Sequence, residues 1–495
     1  MGRAVPLALA ALAALAGCGR VGYDAVEGDA LTLRYPRDEV AAVLGVTAID
    51  LAPTVSRRVA GFTIAPGLPA GVALDPSTGV IGGVPTAAVV DTTYTVTATA
   101  ADGATARFAW RLTALPGSVA DVTADFPDDD GGVDPVCYAT LAGGCTLRAA
   151  VETANRRADR QVIVLIAGDY QLGSALEEIA NDVTIVGAGA TATQIGPATP
   201  RAGFGLITLT TPHQVALRAL AAHQFGDVDG AVAHVTAGAI DIDHCHLADN
   251  ASAGSGGALF VAGGAAAVVR RSLLTGNQSF GGCCGGWGGV IDAEGAGTTV
   301  DVDGCTATGN TSHWGSFAHI TAGTTLRLTS STLSDNIATR AGTLASPGGH
   351  YELVNVTLVR NTNTDTDSAG LYLFAAPAAY QLVNSIVAGN TDGTGAEHDC
   401  NRNDLATTLT SLGGNFIGDD AGNCAAYFTA ASDHLATDPG LVADPPADHG
   451  GPTPTIPLAP DSPAHGAGEA AYCPPTDQRG EPRASPCDSG AVETP

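Results

Sequence analysis

The chain has 495 residues, 64 of them Gly, with only 15% charged residues. That is more than one compact domain usually holds, and it favours tight turns over long helices. Acidic residues outnumber basic ones 50 to 22, every basic residue is Arg, and the net charge is −28. Such a field repels polyanions and excludes nucleic acid as a partner. It is compatible with Ca²⁺ uptake.

The first residues read as a targeting segment. Arg3 supplies a short positive region, and Pro6 to Ala16 is an apolar run too short for an ordinary spanning helix. The run ends in Leu15-Ala16-Gly17-Cys18, with Gly19 next. This resembles the bacterial lipobox. The resemblance implies cleavage after residue 17, acylation of Cys18 and, with Gly rather than Asp at 19, the outer membrane of a Gram-negative cell. Several acyl chains make a firm anchor where one is marginal. The alternative is an ordinary secretory signal.

Residues 19–35 read as a tether, and 36–115 as a β-rich module. Thr92 to Ala100 and Ala106 to Leu112 alternate with period two. Before them stand Pro66-Gly-Leu-Pro-Ala-Gly-Val-Ala-Leu74-Asp75 and Thr78-Gly-Val-Ile-Gly-Gly-Val-Pro85-Thr86. This pattern resembles the immunoglobulin-like modules of bacterial surface proteins, which implies a two-sheet sandwich acting as spacer or adhesive unit.

After Pro116-Gly117 an acidic stretch carries Asp125, Asp128, Asp129, Asp130 and Asp134. Asp128, Asp130 and Asp134 are candidate Ca²⁺ ligands, although the spacing lacks the Glu of an EF-hand. A solvated acidic turn is the competing reading. Next, Leu147, Ala150, Val151 and Ala154 fall at helical spacing. The segment Cys145-Thr-Leu-Arg-Ala-Ala-Val resembles the CSLREA element, which opens parallel β-helices. The implied helix would cover the exposed first coil.

From His244 to Asn390 one phrase recurs six times: an aliphatic or small residue, two spacers, then Asn. The Asn residues are Asn250, Asn277, Asn310, Asn336, Asn361 and Asn390, in steps of 27, 33, 26, 25 and 29. Such a period with variable loops predicts a stacked solenoid. Ahead of each Asn runs a strand whose alternation sends Ile240, Ile242, Val300, Val302, Leu326, Leu328, Leu353 and Leu382 inward. Stacked Asn amides can bond along the column and tolerate left-handed backbone. With Gly256-Gly-Ala-Leu-Phe260 and Gly288-Gly-Val-Ile291, the pattern resembles polymorphic outer-membrane-protein repeats and the wider pectin-lyase-like right-handed β-helices. The predicted fold class is therefore all-β. An immunoglobulin-like sandwich precedes a right-handed parallel β-helix over 119–391, with a capping helix at its start and a loop-rich cap at its end.

The tail, 392–495, contains His449-Gly-Gly-Pro-Thr-Pro-Thr455, Asp461-Ser-Pro-Ala464, Thr476-Asp-Gln-Arg-Gly480 and Cys487-Asp-Ser-Gly-Ala-Val-Glu493. It resembles the choice-of-anchor Q region, with Ile456 and Ser489 departing from the pattern. The resemblance implies a domain type without defined biochemistry, expected to fold over the last coil. Asp477 and Arg479 are expected to form an internal ion pair.

An exported chain permits disulfides. Cys137/Cys145, Cys400/Cys424 and Cys473/Cys487 are close pairs around turn-rich loops. Cys245 and Cys305 share a repeat position with one coil between them, so they sit roughly 10 Å apart and are small buried residues. Cys283 and Cys284 are open to a vicinal bridge or to staying reduced. No zinc spacing, nucleophile elbow or phosphate loop occurs.

Two function classes remain, and a purely structural spacer of the cell envelope reads the same as the first. In the first, the protein is a non-enzymatic surface adhesin whose loops bind a glycan or a protein, with Trp287, Trp314 and His313, near Phe280, as ligand-binding candidates. In the second, it is a polysaccharide lyase or glycoside hydrolase. There Asp241, Asp243, Asp301 and Asp303 would line a groove, with Arg270 on the coil between. The competing reading of those residues is a structural ladder of ion pairs. Fold alone licenses neither class.

Overall fold

The computed structural model describes residues 30–281, 286–374, 378–402, 407–418 and 424–494. Cys18 with its signal segment, and the Cys283-Cys284 pair, lie outside the described residues.

Alternation builds the first domain. Tyr94, Val96 and Ala98 on Val89–Thr99, with Trp110, Leu112 and Ala114 on Thr105–Leu115, turn into the core while Thr and Arg face out. These two strands pair antiparallel, flanked by Glu39–Val43 and Gly61–Ala65 in a four-stranded sheet. Ile49–Leu51, Ile81–Gly83 and Val72–Leu74 form the facing sheet. The predicted tether ends too late. Leu31, Leu33 and Tyr35 are buried in this core, and Leu33–Arg34 pairs with Thr54–Val55. Polar neighbours hid these three apolar side chains in what reads as linker.

The remainder is a right-handed parallel β-helix with four sheets. The first, of 11 strands, runs from Gly117–Ala120 to Thr408–Ser411. The second, also of 11, runs from Gly168–Leu172 to His434–Leu435. A narrow third sheet of 6 strands extends from Gly226–Asp227 to Thr362–Asn363, and a fourth of 8 from Ile207–Leu209 to Cys400–Arg402. The coils from Gln214–Arg218 to Leu371–Leu373 visit them in the order first, second, third, fourth. In-register stacking puts Val215, Ile240, Ala267, Val300, Leu326 and Tyr351 in one inward column. Each is at most 1% exposed, so burial contributes about 1.5–3 kcal/mol for each Val, Ile or Leu side chain.

The six repeat Asn residues form an unbroken ladder. Each Nδ2 donates to the Oδ1 of the next, from Asn250 to Asn277 at 2.9 Å through Asn361 to Asn390 at 2.8 Å. Each backbone N–H donates to the same oxygen, and the second amide hydrogen goes to a carbonyl of the coil before, such as Leu274 for Asn310. Asp399 ends the ladder by accepting from Asn390 at 2.7 Å. One expectation is corrected: the left-handed residue is not the Asn but its predecessor. Asp249, Gly276, Gly309, Asp335, Arg360 and Gly389 have φ between 55° and 67°. The corner turns one residue early, which leaves Asn extended enough to reach both neighbouring coils.

Both ends differ from the expected outline. Gly117–Ala120 already pairs with Gln161–Leu165, so a single residue, Pro116, separates the sandwich strand from the solenoid. A Cβ on Gly117 would meet the Val162 carbonyl at 1.8 Å. The helix Leu147–Asn155 packs on this first coil with Leu147, Ala150, Val151 and Ala154 inward and Thr146 as its N-cap. At the other end, strands continue past residue 391 to His434–Leu435.

The tail does not lie only over the last coil. It runs back along the outside of the second sheet. Gln478 bonds the Cys305 carbonyl and the hydroxyls of Thr306 and Thr332, while Asn355 donates to Asp488 and Gly490 carbonyls. Val359, Ile386 and Phe416 stay buried against Ile456, Leu458 and Ala464. These apolar and hydroxyl side chains face away from the solenoid interior and need a lateral cover.

Cys137–Cys145, Cys400–Cys424 and Cys473–Cys487 are disulfides. Cys245 and Cys305 are free and buried, and burial pushes both thiols up to about 12.

Candidate functional site

The outward face of the first sheet carries the acidic groups read from the sequence. Arg270 contacts both Asp241 oxygens at 3.2 Å, and Arg271 Nε bonds Asp243 at 2.9 Å on the neighbouring coil. Asp301 meets Arg327 at 3.7 Å, whereas Asp303 is exposed and has no ion pair among the described residues. Arg218 adds a contact to Asp241 at 2.6 Å.

This face is not open. The immunoglobulin-like domain lies on it: Arg111 reaches Asp243 at 2.6 Å and Glu39 at 2.8 Å, while Glu39 meets Arg218 at 2.9 Å and Asp38 pairs with Arg271. His244 lies 3.3 Å from Asp243 and 3.5 Å from Asp38. Val43 and Leu115 of the sandwich pack against Val162 and Val186 of the solenoid beside this network. Burial acts to raise the Asp243 carboxyl, but bonds from His244 and Arg271 hold it well below the usual carboxylate range. Glu39 goes the other way, because its desolvation outweighs Arg218 and Arg111.

Glu39, Asp243 and His244 bring ligand atoms within 4.8 Å of one another. Arg111, Arg218 and Arg271 already hold these carboxylates, so a cation would have to displace guanidinium groups. The arrangement is an electrostatic seam between domains and offers no free acid and base to a substrate. Sequence reasoning found the solenoid half and missed Asp38, Glu39 and Arg111.

The loop of Ca²⁺ candidates uses its carboxylates on its own backbone. Asp128 accepts from the amides of Asp130, Gly132 and Tyr138, Asp130 from those of Val133 and Asp134, and Asp134 from that of Val136. This is the economy of a self-capped turn.

The fourth sheet is different. Its outward column reads Thr208, His234, Phe260, Asp292, His319, Ala345, Tyr372 and Asn401, one residue per coil. His234 stacks on Phe260 with ring centroids 5.0 Å apart. Trp287 stacks on His319 at 5.4 Å, and Trp314 packs on Phe374 at 4.8 Å and Tyr372 at 6.0 Å. Trp287 and Trp314 are bridged on adjacent coils. Trp314 is thus largely a packing lid, whereas Trp287 stays 37% exposed, near Phe280 at 50% and Val228 at 64%. His313 is not in this row; its Nδ1 accepts from the Gly286 amide at 3.3 Å.

Under the aromatic rings, Asp292 is fully buried. Its Oδ1 lies 2.7 Å from His319 Nδ1, and its Oδ2 has no partner among the described residues. Glu294, two residues on and on the same face, has no hydrogen bond or ion pair from its carboxylate among the described residues. Burial, then the charges of Asp292 and Asp229, push its carboxyl up, against the pull of His319. No Arg pairs with Asp229, Asp292 or Glu294 among the described residues.

The "Putative Ig domain" family model matches residues 32–113, which agrees with the sandwich and with its start before residue 36. Among solved structures, the chain is similar to the "Crystal structure of Agl-KA catalytic domain", at 13% identity and a TM-score of 0.28 over 73% of this chain and 72% of that one. No curated protein matches the chain significantly.

Proposed function

We propose that the protein is a non-enzymatic surface solenoid, held at the outer membrane through acylated Cys18, that binds an extended glycan along the fourth sheet. One observation carries this reading: Trp287 exposes its ring beside the fourth sheet, next to a column in which the half-buried His234 and Phe260 stack at 5.0 Å, close to the rise of one extended pyranose. Aromatic faces stack on the apolar faces of sugars and serve as binding anchors at little entropic cost. The immunoglobulin-like domain supports a display role, because it stiffens the base of the rod.

The enzymatic alternative, a lyase or hydrolase at Asp241, Asp243, Asp301 and Asp303, has less support. Arg side chains and the sandwich domain occupy the Asp241/Asp243 part of that face.

The test is titration of the full chain with neutral and charged oligosaccharides, read by Trp fluorescence, alongside a depolymerisation screen with and without Ca²⁺. Saturable quenching that disappears in Trp287→Ala is expected, with no depolymerisation. Activity abolished by Asp301→Ala would overturn the reading. The anchor is tested by metabolic labelling with a fatty-acid analogue, expected in the native chain and absent from Cys18→Ala.

A further inference from the structure

The two outward faces handle charge in opposite ways. On the first sheet Asp38, Glu39, Asp241 and Asp243 are answered by Arg111, Arg218, Arg270 and Arg271. On the fourth sheet Asp292 and Glu294, with Asp229 in the loop before Ala233–Val235 acting on Glu294, have only the imidazoles of His319 and His234 as potential cations nearby among the described residues. A chain that neutralises one set of carboxylates with guanidinium groups leaves this set without any among the described residues, directly beside the exposed Trp287 ring.

Asp292 adds an independent observation. A fully buried carboxylate ordinarily has both oxygens satisfied, since an unmet one costs about 1–3 kcal/mol or more. Among the described residues Asp292 Oδ2 meets no donor, and the side chain stands between Phe260 and His319 on the outer face, with Trp287 stacked over His319. A donor from outside the chain would complete it.

Resting on the glycan reading above, we propose that the fourth sheet takes a cationic glycan, an extended polymer of basic amino sugars. Its rings stack on Phe260 and Trp287, and its ammonium groups bond Glu294, Asp229 and the free Asp292 oxygen. The occupant follows from two features together: Trp287 exposes a ring that a sugar face can cover, and carboxylates without an Arg partner beside it select a cation. A neutral glycan would use the rings and leave the carboxylates idle.

The experiment compares four probes on the full chain by Trp fluorescence and calorimetry: β-1,4-linked glucosamine oligomers, their N-acetylated counterparts, cello-oligomers and poly-lysine. A net charge of −28 attracts any polycation, so Asp461→Asn, an exposed acid remote from this sheet, is the charge control. The expected result is saturable binding of the glucosamine oligomer, about tenfold tighter than its N-acetylated form. Glu294→Gln should weaken it about tenfold, Trp287→Ala should abolish the quench, and Asp461→Asn should change neither. Near-ultraviolet circular dichroism of each variant excludes misfolding as the cause.

Equal binding of N-acetylated or cello-oligomers would overturn the cationic inference while leaving the glycan reading intact. Tighter binding of poly-lysine that keeps the Glu294 dependence would replace the sugar with a basic protein segment. Quenching by none of the probes would overturn both readings.

Discussion

Arg111, on the last long strand of the sandwich, donates to Asp243 of the solenoid at 2.6 Å across 132 residues of sequence. Asp243 is fully buried and also takes Arg271, so its removal leaves two guanidinium groups short of a partner. Those groups are 23% and 28% exposed, which lets water recover part of the loss. Asp243→Ala should therefore destabilise the chain by about 3 kcal/mol, toward the lower range for a broken buried pair. Asp301→Ala removes a 46%-exposed contact at 3.7 Å and should cost under about 0.5 kcal/mol. Chemical denaturation of both variants checks the contrast; equal costs would mean that the seam contributes nothing special.

Acid should open the seam at a defined place. The Asp243 carboxyl is depressed in the folded chain, so its contribution is complete above its unfolded pKa of about 3.9 and is lost as pH falls below that. Glu39 is raised by desolvation and carries the opposite sign: it takes up a proton in the folded chain first, which favours the folded state as pH drops toward about 4. The two together predict docked domains down to about pH 4 and separation below it. Hydrogen exchange at Val43, Leu115 and Val162 across pH 3 to 7 reads this directly. Loss of protection already near pH 6 would mean that the Asp243 carboxylate does not control docking.

The Asn ladder should be costly to break in its middle and cheaper at its start. Asn310 Oδ1 accepts both the N–H and the Nδ2 of Asn277, and its own amide serves Asn336 and the Leu274 carbonyl. Asn310→Leu strands these partners in a dry core, at about 1–3 kcal/mol for each unmet group, and should lower stability by at least about 3 kcal/mol. Asn250→Leu leaves Asn277 still bonded to Asn310, and above it only the Phe225 amide and Ala222 carbonyl lose a partner. Its loss should be clearly smaller. Equal losses from urea titration would contradict the ladder as a cumulative structure.

What could be read beforehand follows from what each feature demands of a residue. The ladder needs Asn and nothing else, and the inward columns need aliphatic side chains at period two, so both repeat visibly. Cys245 and Cys305 fit because Ser272 and Ser331 take the same place in the stack, accepting their backbone N–H groups. The seam demands only opposite charges, and Asp38, Glu39 and Arg111 look like any surface residues. The fourth-sheet column was hidden by loop length. Its strands begin at Leu259, Ile291 and Ala318 after Asn250, Asn277 and Asn310, so the offset changes from coil to coil. Phe260, Asp292 and His319 cannot be aligned by counting, and Trp287 alone hinted at them. The tail's path was illegible for a related reason: its polar contacts are backbone carbonyls and hydroxyls, and its apolar ones are the few residues Ile456, Leu458 and Ala464, none of which makes a sequence pattern.

That path makes the last prediction. Gln478 is 2% exposed, and its amide bonds the Cys305 carbonyl, Thr306 and Thr453, while its carbonyl accepts from Thr332 at 2.6 Å. One side chain thus ties the tail to two coils and to itself. Gln478→Ala should cost about 2–4 kcal/mol in tail docking, from several buried groups left unmet, without touching the Asn ladder. Hydrogen exchange should rise at residues 453–494 and at Thr306 and Thr332, while Asn277 and Asn310 keep their protection. Unfolding of the coils together with the tail would instead make this cover part of the solenoid's own cooperative unit.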